Sequence, residues 1–564
     1  MFNSNKIGKC FFLSSSLVIL SACSILILNK SHSTPKHPYK FPTFSLADTL
    51  RGENNKYLNC YDVYFYDLNV DFNFNTREIA GYVDFYFKSL RKIDTLQIDL
   101  YKNMIIDSIL IDKMKIKFYR KFDAVFVQPG IPINETQKIK MSVYYHGKPK
   151  IAANPPWEGG FVWSKDNNNQ PWIAVSCEVE GASLWWPTKD VLSDKPDSMK
   201  LSFTVPSGLN CISNGKRTDS TTINNKTTYR WKVSYPINTY CATFYIGNFA
   251  HFSELYKSLD SSFNLDFYVL PKNLQLAREH FKQTAGMLHF YESVYGPYPW
   301  TRDGYKLIES PYEGMENQTA IAYGNGYKNL VNLFDQIILH ESAHEWWGNS
   351  VTVPDFAEVW LHEGFATYSE ALYTEHEYGH EFYLKFLEVY AMFITNKKPV
   401  VGPHNVNFWD YKDNDVYMKG ALALHTLRNT LENDSLFFDI IKSFYNKYKY
   451  KNAVTQNFID MVNFKTGKDY SWFFKQYLYN RVSPELLWKF YYNSVTKQNE
   501  LYYKWSNVSA DFSIPIKIKT DSGLTTIYPT MQLQKINMDK GKLIKINVEG
   551  SYIALKRTGK IVIK

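Results

Sequence analysis

The sequence predicts an α+β chain of several domains in the order β, then α, then β. Three observations carry that expectation. Apolar and polar residues alternate over the first part of the body, apolar residues recur at helical spacing over the middle, and short alternating runs return at the end. The chain has 564 residues, of which 45% are hydrophobic and 17% aromatic. That length has room for about three or four domains at roughly 150 residues each. The aromatic content marks a globular chain, because disordered chains are poor in such residues.

Residues 1–22 read as a signal peptide. Lys6 and Lys9 precede the apolar run Phe11–Leu20, which is a secretory pattern. Leu20-Ser21-Ala22-Cys23 resembles a bacterial lipobox, in which the cysteine becomes the lipidated first residue. The expectation is an exported protein held to a bacterial membrane by lipid on Cys23. The outer membrane or cell surface would be its place, with its body outside the cytoplasm. An uncleaved signal anchor competes, because apolar residues continue to Leu28 and approach the roughly 18–20 needed to cross a bilayer, and plain secretion is a third reading. Residues 23–54, polar and Pro-bearing in SHSTPKHPYKFPTF, read as a tether.

Residues 55–253 follow as an all-β domain, with strand candidates such as VYFYDLNVDFNFN and SMKLSFTVPSG. Residues 254–482 are mostly helical, as in LAREHFKQTAGMLHFYESVYG and YMKGALALHTLRNTLEN. Residues 483–564 return to short strands and predict a small β-sandwich. The body cysteines Cys60, Cys177, Cys211 and Cys241 are too sparse for a disulfide scaffold, and their pairing stays open. The net charge of +9 is scattered, without the basic stripe that nucleic-acid binding requires, which excludes that class of partner.

The chemistry centres on residues 340–351, HESAHEWWGNSV. Gln336–Trp347 holds no proline or glycine and predicts a helix. His340 and His344, four apart, then share one helix face and can point at one metal ion. HExxH on a helix is a zinc-protease arrangement, with Glu341 as general base. A catalytic zinc needs a third protein ligand and an open position. Eighteen residues separate His344 from Glu363. Asp355–Glu358 can form the loop, and a second helix starting near Trp360 can pack antiparallel and return Glu363 to the metal.

HExxH, eighteen residues, then Glu resembles the gluzincin aminopeptidases of peptidase family M1, which include aminopeptidase N and a leukotriene hydrolase branch. Glu313-Gly314-Met315-Glu316-Asn317 resembles the family's G-x-M-E-N motif, and Val416-Tyr417-Met418-Lys419-Gly420-Ala421 its tyrosine segment. Glu178, nine residues before Pro187, falls where the family carries an amine-binding Gln or Glu. The resemblance implies a β-sheet saddle domain at the N-terminus, a thermolysin-like catalytic domain, and one Zn2+ per chain on His340, His344 and Glu363. It implies Glu341 as the base and Tyr417 as stabiliser of the oxyanion. Glu316 and Glu178 would hold a free N-terminal amine, with Gly314, Met315 and Asn317 beside the substrate. Glu370, two helical turns after Glu363, would orient a ligand histidine. The implied partners are peptides with a free N-terminal amine.

Two positions depart from the family. Glu313 replaces the motif's first glycine and can reshape the substrate strand or add negative charge. His362 replaces an Asn and can alter bonding near the metal or simply face solvent. Trp346, Trp347, Trp185 and Trp186 read as packing residues, and His362, His376, His380 and His404 as surface or packing histidines rather than extra ligands. Three readings compete with the aminopeptidase. They are a gluzincin endopeptidase, a bifunctional enzyme like the leukotriene branch, and a surface binding lipoprotein on an inactive scaffold. Glu178 and Glu316 argue against an endopeptidase, which has no amine to bind. Glu341 and Tyr417 argue against an inactive scaffold.

Overall fold

The computed structural model describes residues 39–408, 413–521, 523–538 and 543–558. Cys23 and the expected signal peptide lie outside the described residues. Among the described residues no helix is long and apolar enough to cross a membrane.

Alternation builds the first region. Tyr61–Asn73 buries every second residue over much of its length and pairs antiparallel with Glu78–Ser89. These strands sit inside a ten-stranded sheet, where Ser198–Pro206 adds on the other side in parallel. A four-stranded sheet shares its core. Phe244, on the smaller sheet, meets Phe72 on the larger one with ring centroids 4.7 Å apart. Trp185 and Trp186 are fully buried in this core, as packing residues.

Part of the expected tether is folded. Leu46–Gly52 is a helix whose N-terminus is closed by a capping box between Ser45 and Asp48. It docks on the β-rich region: Gln97 Nε2 donates to the Leu50 carbonyl at 2.9 Å, and Arg51 donates to the Glu180 carbonyl. The polar composition that reads as linker here serves as cap and contact.

The middle region opens with a five-stranded mixed sheet, in which Gly314–Met315 is the edge strand, paired antiparallel with Ile321–Tyr323. Asp335 then caps the HExxH helix, its carboxylate accepting from the Ile337 and Ile338 amides. The regular helix covers Gln336–Ala343 and stops short of the expected Trp347. Tighter bonds, Glu345 N–H to Ser342 and Trp346 N–H to Ala343, close the last turn. Gly348, at φ 121°, then turns the chain into the short strand Val351–Thr352. The second helix covers Trp360–Tyr378 and a later one Asp415–Leu431. These two touch at paired glycines: a Cβ on Gly364 would lie 3.0 Å from the Gly420 Cα. Trp346 and Trp347 are fully buried in the same core.

Residues after 483 form two small sheets of four and three strands. Leu486, Leu501, Trp505 and Ile518 join their inner faces to the core of the helical region. The loop at Glu549–Tyr552 docks on the Asp415–Leu431 helix. The Glu549 carbonyl accepts from Asn429 Nδ2 at 3.0 Å, and Tyr552 N–H donates to Thr426 Oγ1 at 2.9 Å. All four body cysteines are buried and free.

Candidate metal centre

His340 Nε2 lies 3.1 Å from His344 Nε2 and 3.3 Å from Glu363 Oε2, and His344 Nε2 lies 3.5 Å from the same oxygen. Ligand atoms about 2.0–2.1 Å from a tetrahedral zinc stand roughly 3.3–3.4 Å from one another. The three donors therefore fit Zn2+ in both chemistry and spacing. The helices that carry them run antiparallel. Gln336 bonds Glu370 at one end, and His344 meets Glu363 at the other.

The rings are fixed from behind. His340 Nδ1 is 2.7 Å from Glu370 Oε1, and His344 Nδ1 is 2.8 Å from the Trp347 carbonyl. Nδ1–H donation to these acceptors leaves each Nε2 lone pair aimed at the shared centre. Glu370 is itself held. Its Oε2 accepts from Gln336 Nε2 at 2.8 Å and from the Tyr390 hydroxyl at 2.9 Å. Helix Trp360–Tyr378 thus supplies both a donor to the centre and the carboxylate behind it.

Charge is concentrated here. Burial pulls His340 and His344 down, but the neighbouring carboxylates together outweigh it, Glu363 at both rings and Glu370 and Glu341 as well at His340. His340 ends well above its ordinary range and His344 at about 9. Burial pushes Glu363 up, yet the two histidines bring it well below the usual carboxylate range. The centre prefers a bound cation, and a proton and a metal compete for the same Nε2 lone pairs. Burial raises Glu341 to about 8 against the pull of the two histidines.

Glu341 reaches the edge strand. A Cβ on Gly314 would lie 2.5 Å from Glu341 Oε1 and 2.9 Å from Ile337 Cγ2, so the strand's bare backbone passes directly over this carboxylate. Glu316, two residues on, is buried. Its Oε1 accepts from the Tyr240 hydroxyl at 3.0 Å, and its carbonyl accepts from Asn349 Nδ2 at 2.8 Å. Oxygens of Glu178, Glu316 and Glu363 lie within 4.8 Å of one another. Burial raises both Glu178 and Glu316, and Glu178 Oε1 is buried with no hydrogen-bond partner. Carboxylates gathered this way are short of positive charge, and an ammonium group would supply it. The half-buried Tyr417 has its ring centroid 6.1 Å from that of His340. Burial and the carboxylates of Glu363, Glu178 and Glu316 hold its phenol well above the usual range, so it stays a neutral donor.

The other two expected substrate neighbours have contacts within the protein. Met315 is buried in the core shared with the β-rich region, and Asn317 Nδ2 donates to the Tyr245 hydroxyl at 2.8 Å. His362 does not face solvent. It is buried, accepts the Val353 amide on Nε2 at 2.9 Å, and is pushed down to about 3 by burial and His344. His376, His380 and His404 are exposed. Sequence reasoning missed Gln336, Tyr390, Tyr240 and Asn349. Gln336 sits one turn before His340, so helical spacing marks it; the others carry no local signal.

The sequence matches the Peptidase family M1 domain over residues 279–477 and the Peptidase M1 N-terminal domain over residues 63–241. The chain belongs to peptidase family M1. Human endoplasmic reticulum aminopeptidase 1 is 27% identical over 253 residues, covering 40% of this M1 chain and 26% of the human protein. Probable aminopeptidase 1 of Saccharolobus solfataricus is 23% identical over 509 residues, covering 86% of this chain and 62% of that protein. The matched stretch thus spans about a quarter of the human relative and under two thirds of the archaeal one. The M1 zinc metallopeptidase of Deinococcus radiodurans shares the fold, with a TM-score of 0.64 at 20% identity, covering 78% of this chain and 98% of that one. A mutant of that metallopeptidase is solved with a Tyr-Ser-Ala substrate bound, at a TM-score of 0.63 and 20% identity.

Proposed function

We propose that this M1 chain is a zinc-dependent aminopeptidase that removes the first residue from peptides with a free N-terminal amine. One observation carries the reading. The carboxylates of Glu178 and Glu316 crowd within 4.8 Å of Glu363, so an ammonium site adjoins the candidate metal site. That proximity leaves room for one residue between amine and cleaved bond. The named aminopeptidases among its relatives, and the tripeptide held by the Deinococcus neighbour, point the same way.

His340, His344 and Glu363 would hold the zinc, with Glu370 and the Trp347 carbonyl fixing the two rings. Zinc, when bound, acidifies a water molecule and polarises the scissile carbonyl. Glu341 takes the proton from that water and passes it to the leaving amine. Tyr417 donates a hydrogen bond to the carbonyl oxygen as negative charge develops. Glu316 and Glu178 bind the ammonium and set which bond is presented. Residues 1–23 support a further part of the reading: export, and lipid anchoring through Cys23 to a bacterial membrane.

The test is hydrolysis of a panel of aminoacyl-arylamides by the protein lacking residues 1–30. It is run with and without a chelator, beside Glu341→Gln and Glu316→Ala. Release that a chelator stops, that vanishes in Glu341→Gln and that weakens in Glu316→Ala is expected. Absence of any turnover with zinc bound would overturn the assignment.

A further inference from the structure

Glu313 is a half-buried carboxylate with no hydrogen bond or ion pair to any described residue through its side chain. Burial pushes its titration up, and the negative charge of Asp335 adds to that. A carboxylate held this way costs free energy unless a cation arrives.

Its place along the edge strand says where such a cation would come from. The Gly324 amide donates to the Glu313 carbonyl at 2.7 Å, bracketing the Gly314–Tyr323 pair. In an antiparallel ladder that bond turns the N–H and C=O of Gly314 outward, free to pair with an added strand. Three features therefore follow in order along residues 316 to 313: the ammonium site at Glu316, the backbone beside Glu341 at Gly314, and the unpaired carboxylate of Glu313. Residues 313 and 316 stand about 10 Å apart in extended chain. A peptide laid on this edge with its amine on Glu316 has its first peptide bond at Gly314. Its second residue then falls toward Glu313.

We propose that Glu313 selects peptides with a lysine or arginine immediately after the cleaved bond. The inference rests on the aminopeptidase reading and names the substrate class of that site. The added negative charge is specific to this strand, where the family motif has glycine.

The experiment compares tripeptides that share one first residue, whichever the arylamide panel ranks best, and differ in the second: Lys, Gln or Glu. Arylamides carry no second side chain and serve as the reference. For the wild type, kcat/KM is expected to favour Lys over Glu by about tenfold, a ratio that shrinks with added salt. Glu313→Gln, nearly the same shape, should bring the ratio close to one, and Glu313→Lys should invert it. An equal ratio in wild type and Glu313→Gln, or a wild-type preference for Glu, would overturn the inference while arylamide turnover leaves the aminopeptidase reading intact. If the wild type cleaves neither arylamides nor peptides, the aminopeptidase reading itself fails, and this inference with it.

Discussion

The two halves of the site are built differently. The metal half is assembled at short range: His340 and His344 share one helical turn, and Glu370, bonded to His340, is 30 residues away on the next helix. Every side chain that steadies it comes from the helical region. The half proposed to bind the amine is assembled at long range. Tyr240, bonded to Glu316, is 76 residues away in the β-rich region, and Glu178 comes from there too. One half thus depends on the packing of two helices, the other on the seating of one region against another. Glu363 touches both, being a donor to the centre and a neighbour of Glu316 and Glu178. If the halves are separable, damage to each should read out in a different quantity.

The largest effect should come from the centre. His344→Ala removes one donor, and bound zinc and turnover should both be lost, the latter by at least a thousandfold. Metal analysis alongside arylamide hydrolysis checks both; retained zinc with retained turnover would place the metal elsewhere. Glu316→Ala should come next. Losing a charged hydrogen bond to the ammonium costs about 1.5–3 kcal/mol, or roughly 10–100-fold in kcat/KM. Zinc content should not change, and a fall in zinc would show the halves to be one unit. Glu370→Ala should do the reverse. Zinc affinity, measured by chelator competition, is expected to fall roughly 10–100-fold. At saturating zinc, KM should stay near the wild-type value. A raised KM would show that ring orientation also sets the amine site.

The same contrast governs what the sequence reveals. The metal half follows a fixed helical period and one spacing, so His340, His344 and Glu363 are legible in the sequence alone. The amine half has no period. Glu178 is legible only through its distance from Pro187 in a family pattern, and Tyr240 and Asn349 carry no local mark at all. Where the fold departs from expectation, local backbone chemistry is the cause. Gly348, at positive φ, ends the helical turn that Trp346 and Trp347 would otherwise extend. Polar composition hides the helix at Leu46–Gly52, although Ser45 and Asp48 stand at capping-box spacing. The three-region order follows from periodicity alone, because whole segments carry that signal. The contacts between regions do not, because each depends on single side chains far apart in the chain.

Tyr240→Phe tests the contrast at its finest. The hydroxyl donates to Glu316 Oε1, and both side chains are buried. This bond holds one oxygen of the carboxylate and, in the proposed aminopeptidase, leaves the other for the ammonium. Without it the carboxylate gains rotational freedom and loses a charged hydrogen bond, while the ring that fills the core stays. The expected result is a rise in KM of roughly fivefold, about 1 kcal/mol, with kcat within about twofold of wild type. Chelator competition should give an unchanged zinc affinity, since no described contact runs from Tyr240 to a histidine of the centre. A blocked-amine substrate, cleaved poorly by both forms, should show no difference between them. If zinc affinity falls together with the rise in KM, the seating of the β-rich region reaches the metal through Glu363. The site would then be a single coupled unit that only looks divided in sequence.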